Sequence, residues 1–152
     1  MKHLLIIYHS QGGNTTQLAE AVEQGAVASG EPVEVRRLLA FDAGLDDLLW
    51  ADVVAFGTPE NFAYMAGALK DFLDRTYYPA QGLVEGLPYA LFVSAGNDGT
   101  GAVYHFDRIA SGYPLKRVCE ALIFNGDLTE DALQACQELG GTLAAGVVMG
   151  VI

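Results

Sequence analysis

Leu4-Leu5-Ile6-Ile7-Tyr8-His9-Ser10-Gln11-Gly12-Gly13-Asn14-Thr15 stands near the start of a chain of 152 residues. Its first five positions are all apolar or aromatic, as in a strand buried on both faces. A glycine-bearing loop follows. Asn14 then opens a helix to about Ser29, with Leu18, Ala19, Val22 and Ala26 at helical spacing and Gly30 as the stop. The loop glycines let the backbone curl so that successive N–H groups point inward. The helix N-terminus adds partial positive charge, and the hydroxyls of Ser10, Thr15 and Thr16 add donors, so the segment reads as a phosphate cradle. It contains no lysine, which excludes the nucleotide loop G-x-x-x-x-G-K-S/T, and it lacks G-x-G-x-x-G. The competing reading is an ordinary strand-to-helix turn capped by Asn14.

Working outward, the same strand-then-helix alternation repeats. Val33-Glu34-Val35 alternates like a half-exposed edge strand, and a short helical stretch covers Gly44 to Ala51. Val53-Val54-Ala55-Phe56 is a third strand, followed by a loop from Thr58 to about Tyr64 and a helix around Leu69, Phe72 and Leu73. Pro88 introduces a fourth strand through Val93. Ser94 to Gly101, with three glycines, is a loop. A helix near Ala102 to Ala110 comes next, with a second helical turn near Leu115, then a fifth strand over Ala121 to Phe124. Thr129 caps a last helix to about Ala145. Such alternation implies one α/β domain over 1–152: a doubly wound, five-stranded parallel sheet in the order 2-1-3-4-5, with helices on both faces. Ligands of such sheets sit beyond the carboxyl ends of the strands, where the order reverses.

Composition narrows the function. Hydrophobic residues make up 51% of the chain and charged ones 18%, which excludes a disordered chain. The net charge of −11, from 19 acids against 8 bases, argues against nucleic acid and anionic membrane surfaces but suits a partner bearing a basic patch. Cys119 and Cys136 form neither a C-x-x-C pair nor a metal-ligand cluster with the three histidines, so no metal site is expected. No apolar run reaches the ~20 residues of a membrane span, and the expected location is cytoplasmic.

Two further loops carry candidate chemistry. Gly57-Thr58-Pro59-Glu60-Asn61-Phe62-Ala63-Tyr64-Met65 precedes Lys70-Asp71-Phe72-Leu73-Asp74-Arg75, and Ser94-Ala95-Gly96-Asn97-Asp98-Gly99-Thr100-Gly101 follows the fourth strand. A proline-stiffened backbone offers N–H and C=O groups to a polar edge, and Phe62 or Tyr64 offers apolar surface. Met65 reads as a filler of core gaps. Glycines in the third loop allow close approach to a flat ring, whereas Asn97 and Asp98 are equally simple turn formers. Tyr104 and His105 follow at once. Either is a candidate to meet a ring or a substrate, and His105 to donate a proton, although a lone helical histidine is more often a solvated surface residue. Trp50 precedes the third strand and so belongs at the opposite end of the sheet. The closing run from Gly146 to Ile152 is too short for a membrane and packs on the domain or on a second subunit.

In the first loop, Ser10, Gly13 and Thr15 match the T/S-x-T/S-G-x-T phosphate loop of flavodoxins, while Gly12 departs where a hydroxyl is usual. The second loop and its helix are similar to the G-T-P-x-x-F-x-x-M and K-x-F-x-D-R segments of flavodoxin-superfamily NAD(P)H:quinone oxidoreductases and FMN reductases, and the third loop resembles theirs. The resemblance implies a flavodoxin-like fold holding FMN through Ser10, Gln11, Gly12, Gly13, Asn14 and Thr15 at the phosphate. It places Pro59, Glu60, Asn61, Phe62, Ala95, Gly96, Asn97, Asp98, Gly99 and Gly101 around the ring. It further implies NAD(P)H as electron donor and a quinone or similar small molecule as acceptor. The alternative is an electron-carrier flavodoxin that docks on a redox partner protein, which the acidic charge favours. A homodimer or higher homo-oligomer stays open, while the absence of the long insertion that many of those reductases carry near strand four or five counts against their tetrameric arrangement.

Overall fold

The computed structural model describes all of residues 1–152. Its elements run β1 (Lys2–Tyr8), α1 (Asn14–Ala28), β2 (Val33–Leu39), α2 (Leu45–Trp50), β3 (Val53–Asn61), β4 (Tyr64–Met65) and α3 (Gly67–Ala80). The second half continues with β5 (Pro88–Ala95), α4 (Thr100–Ala110), β6 (Lys116–Arg117), β7 (Leu122–Asn125) and α5 (Glu130–Met149). The sheet runs β2-β1-β3-β5, with β6 and β7 both pairing beyond β5. All pairings are parallel except that of the short β4 with β3. This is the expected order 2-1-3-4-5, with the fifth strand in two pieces. β6 lies opposite Pro88 and Tyr89, β7 opposite Phe92 to Ala95, and a bend at Cys119 separates them.

Two other expectations are corrected. No helical turn forms near Leu115. Turn residues 111–114 lead instead into β6, with buried Leu115 donating its N–H to the Ala110 carbonyl at 2.8 Å. The stretch from Thr58 is not a free loop. β3 continues to Asn61 because Thr58 and Pro59 still pair with Val93 and Ser94 of β5. Pro59 lies beyond the last β1 pairing, Tyr8 with Gly57, at a strand end that tolerates a missing N–H.

Period-two alternation in the buried strands divides the core. Leu5, Ile7, Val54, Phe56 and Leu91 face α3 and α4, where Phe56 meets Phe106 at a ring separation of 4.7 Å. Leu4, Ile6, Val53, Ala55 and Phe92 face Leu18 and Val22 of α1 and Cys136 and Leu143 of α5. The two faces together order the carboxyl ends of β1, β3 and β5 side by side. Trp50 sits at the other end, stacked on His3 at 4.2 Å with the Arg36 guanidinium 3.9 Å from the ring centre. The closing run extends α5 to Met149 and turns Ile152 back onto Gly146, so it packs on its own domain. No helix is long and apolar enough to cross a membrane.

Burial has a consequence for alkaline stability. It pushes the Tyr113 phenol and the Cys136 thiol up to about 12, from 10.0 and 9.0, and raises Tyr89, which also donates to Asp107 at 2.6 Å. Raised folded-state values stabilise the fold below the unfolded pKa, and that stability is lost as pH rises toward the folded one. The urea midpoint should therefore fall progressively from about pH 9 to about pH 12. A midpoint that stays flat across this range would contradict the burial of these groups.

Candidate functional site

Loop one (residues 9–13) is held at both ends of a tight curl. His9 N–H donates to the Gly57 carbonyl at 3.2 Å, and Gly13 N–H donates to Ser10 Oγ at 3.0 Å. Gly13 is the N-cap of α1 at φ +96°, a left-handed conformation that favours glycine. Its lack of a side chain leaves the first-turn N–H groups without a side-chain cap, and no acidic residue occupies that turn. Gln11 and Gly12 are exposed, and Thr15 is buried beneath them in the first turn. Ser10 Oγ accepts from Gly13 and retains its own proton for an outside acceptor. Uncapped donors at a helix N-terminus, facing solvent and free of competing carboxylate, fit an anionic phosphate.

Loop two is a hairpin. Glu60 pairs with Met65 and Asn61 with Tyr64, leaving Phe62 and Ala63 as a two-residue turn with φ of 53° and 60°. Both are non-glycine residues in the left-handed region, the geometry that a two-residue hairpin of this hand demands. Phe62 points fully into solvent. At the hairpin's base, Thr58 Oγ1 accepts from Ala66 N–H at 2.9 Å.

Loop three (residues 96–99) leads into α4, and the structure gives several of its members work within the fold. The Glu60 carboxylate accepts from Gly99 N–H at 2.9 Å through Oε1, and from Gly101 and Ala102 N–H at 3.0 and 3.2 Å through Oε2. Gly99 and Gly101, both expected around the ring, thus donate their N–H groups to Glu60, expected there as well. Asp98 acts as the turn former, accepting from Thr100 Oγ1 at 2.7 Å. Asn125 Nδ2 donates to the Asn97 carbonyl at 2.6 Å and tethers the loop to β7. Of the remaining expected contacts, Ala95 is buried, with its carbonyl bonded to Gly126 N–H at 2.9 Å, while Gly96 and Asn97 are exposed. Asn61 and Pro59 lie along β3, both half-buried.

Tyr104 and His105 lie on α4 beside the hairpin. The His105 ring is 4.7 Å from Tyr64 and 5.1 Å from Tyr104, whose hydroxyl meets Arg108 at 3.3 Å. His105 is half-buried against aromatic neighbours rather than solvated. Sequence reasoning missed the Glu60 clamp and Asn125. Their partners lie 28 to 42 positions away, and only the fold brings them together.

The model of the flavodoxin family matches residues 6–140. The chain belongs to the flavodoxin family. It is 30% identical to a flavodoxin of Aquifex aeolicus over 99% of this chain and 90% of that protein. It is 38% identical to an NAD(P)H dehydrogenase (quinone) of Acidithiobacillus ferrooxidans, over 50% of this chain and 48% of that one. Among solved structures, a flavodoxin from the domain Archaea matches with a TM-score of 0.85 at 26% identity, over 95% of this chain and 98% of that one. This flavodoxin-fold chain therefore presents its loops at the switch point of the sheet, as the sequence implies.

Proposed function

We propose that this flavodoxin-family protein holds FMN at the carboxyl end of its sheet and works as an electron carrier that docks on a redox partner with a basic patch. The observation that carries the reading is electrostatic. The segments at that end (residues 9–16, 40–44, 57–66, 95–100 and 126–129) contain Asp42, Glu60, Asp98 and Asp127 and no lysine or arginine. Exposed Phe41 and Phe62 stand among them. An apolar rim whose own segments carry only acids, with Arg75 bonded to the Ala40 and Ala43 carbonyls but paired with Asp71, steers a cationic surface toward it and repels a polyanionic nucleotide.

FMN, when bound, supplies reversible electron transfer through its ring. The chain's own residues bind and shape. Gly12, Asn14 and Thr15 offer neutral backbone and hydroxyl donors to the phosphate, with Ser10 bracing the loop through Gly13 N–H. The hairpin and loop three, joined by Glu60, form the wall toward the ring. No protein nucleophile is required.

A second reading is an NAD(P)H-dependent oxidoreductase acting on a quinone. The Gly57-Thr58-Pro59 segment with the Lys70 to Arg75 helix favours it, together with the 38% identity to a protein of that name over half the chain. One spectroscopic experiment separates the two. The protein is expected to be yellow, to bleach with dithionite and to remain coloured with NADH or NADPH. Once reduced, it should pass electrons to cytochrome c, a basic acceptor, several-fold faster in dilute buffer than in 0.5 M salt, which screens charge beyond roughly 4 Å. Bleaching by a pyridine nucleotide within the mixing time would overturn the carrier reading in favour of the second. A colourless protein that takes up no FMN would overturn both.

A further inference from the structure

We propose that Glu60 is a positioning residue: its carboxylate locks the β3–β4 hairpin and loop three into a single wall and fixes a negative charge within it. The inference rests on the FMN reading for its redox consequence and on the hydrogen bonds alone for its mechanical one.

The hairpin is weak by itself. It has two pairings, and a two-stranded hairpin this short has little independent stability. Its turn also holds Phe62 and Ala63 at positive φ, a conformation that the surroundings must enforce. Thr58 fixes the base. Only Glu60 reaches across to α4 with hydrogen bonds, and it makes three of them, all to N–H groups at a helix N-terminus that would otherwise be orphaned. Hydrogen bonds from N–H to a carboxylate are stronger than neutral ones, and the positive end of the α4 dipole reinforces them. Packing agrees. A Cβ on Gly101 would collide with the Ala63 carbonyl, so the helix start lies directly against the hairpin turn. Asn125 secures the far side of loop three through Asn97. Hairpin and loop must therefore move together or not at all.

The same carboxylate decides which helix end remains open to an anion. α1 and α4 both begin at a glycine cap in the left-handed region, with no acid in the first turn. At α4 the position is filled by Glu60 from another element, whereas no such carboxylate reaches α1. Glu60 thereby directs a phosphate to α1 and leaves a fixed negative charge beside loop three.

The test compares wild type, Glu60→Gln and Glu60→Asp. Glutamine keeps one acceptor oxygen and loses the charge; aspartate keeps the charge on a shorter arm. In the FMN-free protein, Glu60→Gln should speed amide hydrogen exchange of residues 61–65 and 100–103 together, at least tenfold, and leave residues 18–28 of α1 unchanged. In the FMN-loaded protein the same substitution should make reduction easier, with at least threefold more flavin reduced at a fixed potential. Glu60→Asp should accelerate the exchange while leaving the potential near that of wild type, an outcome that a merely structural role would not produce. Unchanged exchange in Glu60→Gln would overturn the mechanical coupling, and an unchanged potential would overturn the electrostatic role. Wild type that binds no FMN would instead overturn the FMN reading, with the exchange result still deciding the coupling.

Discussion

Gly140→Ala should lower the melting temperature by roughly 4–8 °C, although alanine is the better helix former by about 1 kcal/mol. The reason lies where α1 and α5 cross. A Cβ on Gly140 would overlap the Val22 carbonyl oxygen and come within 2.8 Å of the Ala26 nitrogen, and these are backbone atoms of a facing helix that cannot rotate away. Gly25 on α1 meets the Gln137 carbonyl of α5 in the same manner. Separating the two helices opens the core layer of Leu18, Val22, Cys136 and Leu143, and overpacking of this kind costs about 3 kcal/mol. That exceeds the gain in propensity, leaving a net loss of about 2 kcal/mol. Gly141 is the internal control. Its Cβ would rest 3.6 Å from the Gly25 carbonyl, an ordinary contact, so Gly141→Ala should raise the melting temperature slightly. Thermal unfolding of the pair measures both. An unchanged or raised value for Gly140→Ala would show that the helices do not approach this closely.

Gly12→Asp should weaken FMN binding by at least about 100-fold and leave the melting temperature of the FMN-free protein nearly unchanged. Gly12 is exposed, a Cβ there meets nothing within 4 Å, and its φ lies outside the left-handed region, so the fold accepts a side chain. The new carboxylate would stand in the curl beside the uncapped start of α1 and take the position of the phosphate. Two like charges about 5 Å apart repel by roughly 3 kcal/mol at the effective dielectric of a protein surface, which is more than 100-fold in affinity. Gly12→Ser is the converse: it adds a hydroxyl where flavodoxins usually carry one and should tighten binding. Titration of FMN fluorescence measures both. Equal affinity in wild type and Gly12→Asp would place the phosphate elsewhere.

What the sequence made legible was local. The run Leu4 to Tyr8, the glycines after it and the spacing of Leu18 and Val22 define a strand, a curl and a helix without help from the rest of the chain. Because parallel strands need crossovers of fixed hand, the order of the sheet followed from that alternation. The parts that stayed hidden depend on distant partners. Thr58 and Pro59 look like loop residues until β5 is placed beside them, and only then does β3 continue into a hairpin. The bonds from Gly99, Gly101 and Ala102 N–H to Glu60 stay hidden in the sequence because these partners belong to another loop. The break in the fifth strand is set by pairing with opposite ends of β5, which no periodicity over Lys116 to Asn125 records. Tertiary contacts, not local propensity, decided each of these.

The claim that FMN is anchored through its phosphate at the start of α1 is tested most directly by amide chemical shifts of the FMN-free protein on titration with FMN and, separately, with riboflavin, which lacks the phosphate. FMN should shift Gly12, Gly13, Asn14 and Thr15 strongly, while riboflavin leaves these four in place and perturbs only the hairpin and loop three. If FMN leaves Gly12 to Thr15 unmoved, or shifts the start of α4 in their place, the phosphate is not held by this loop.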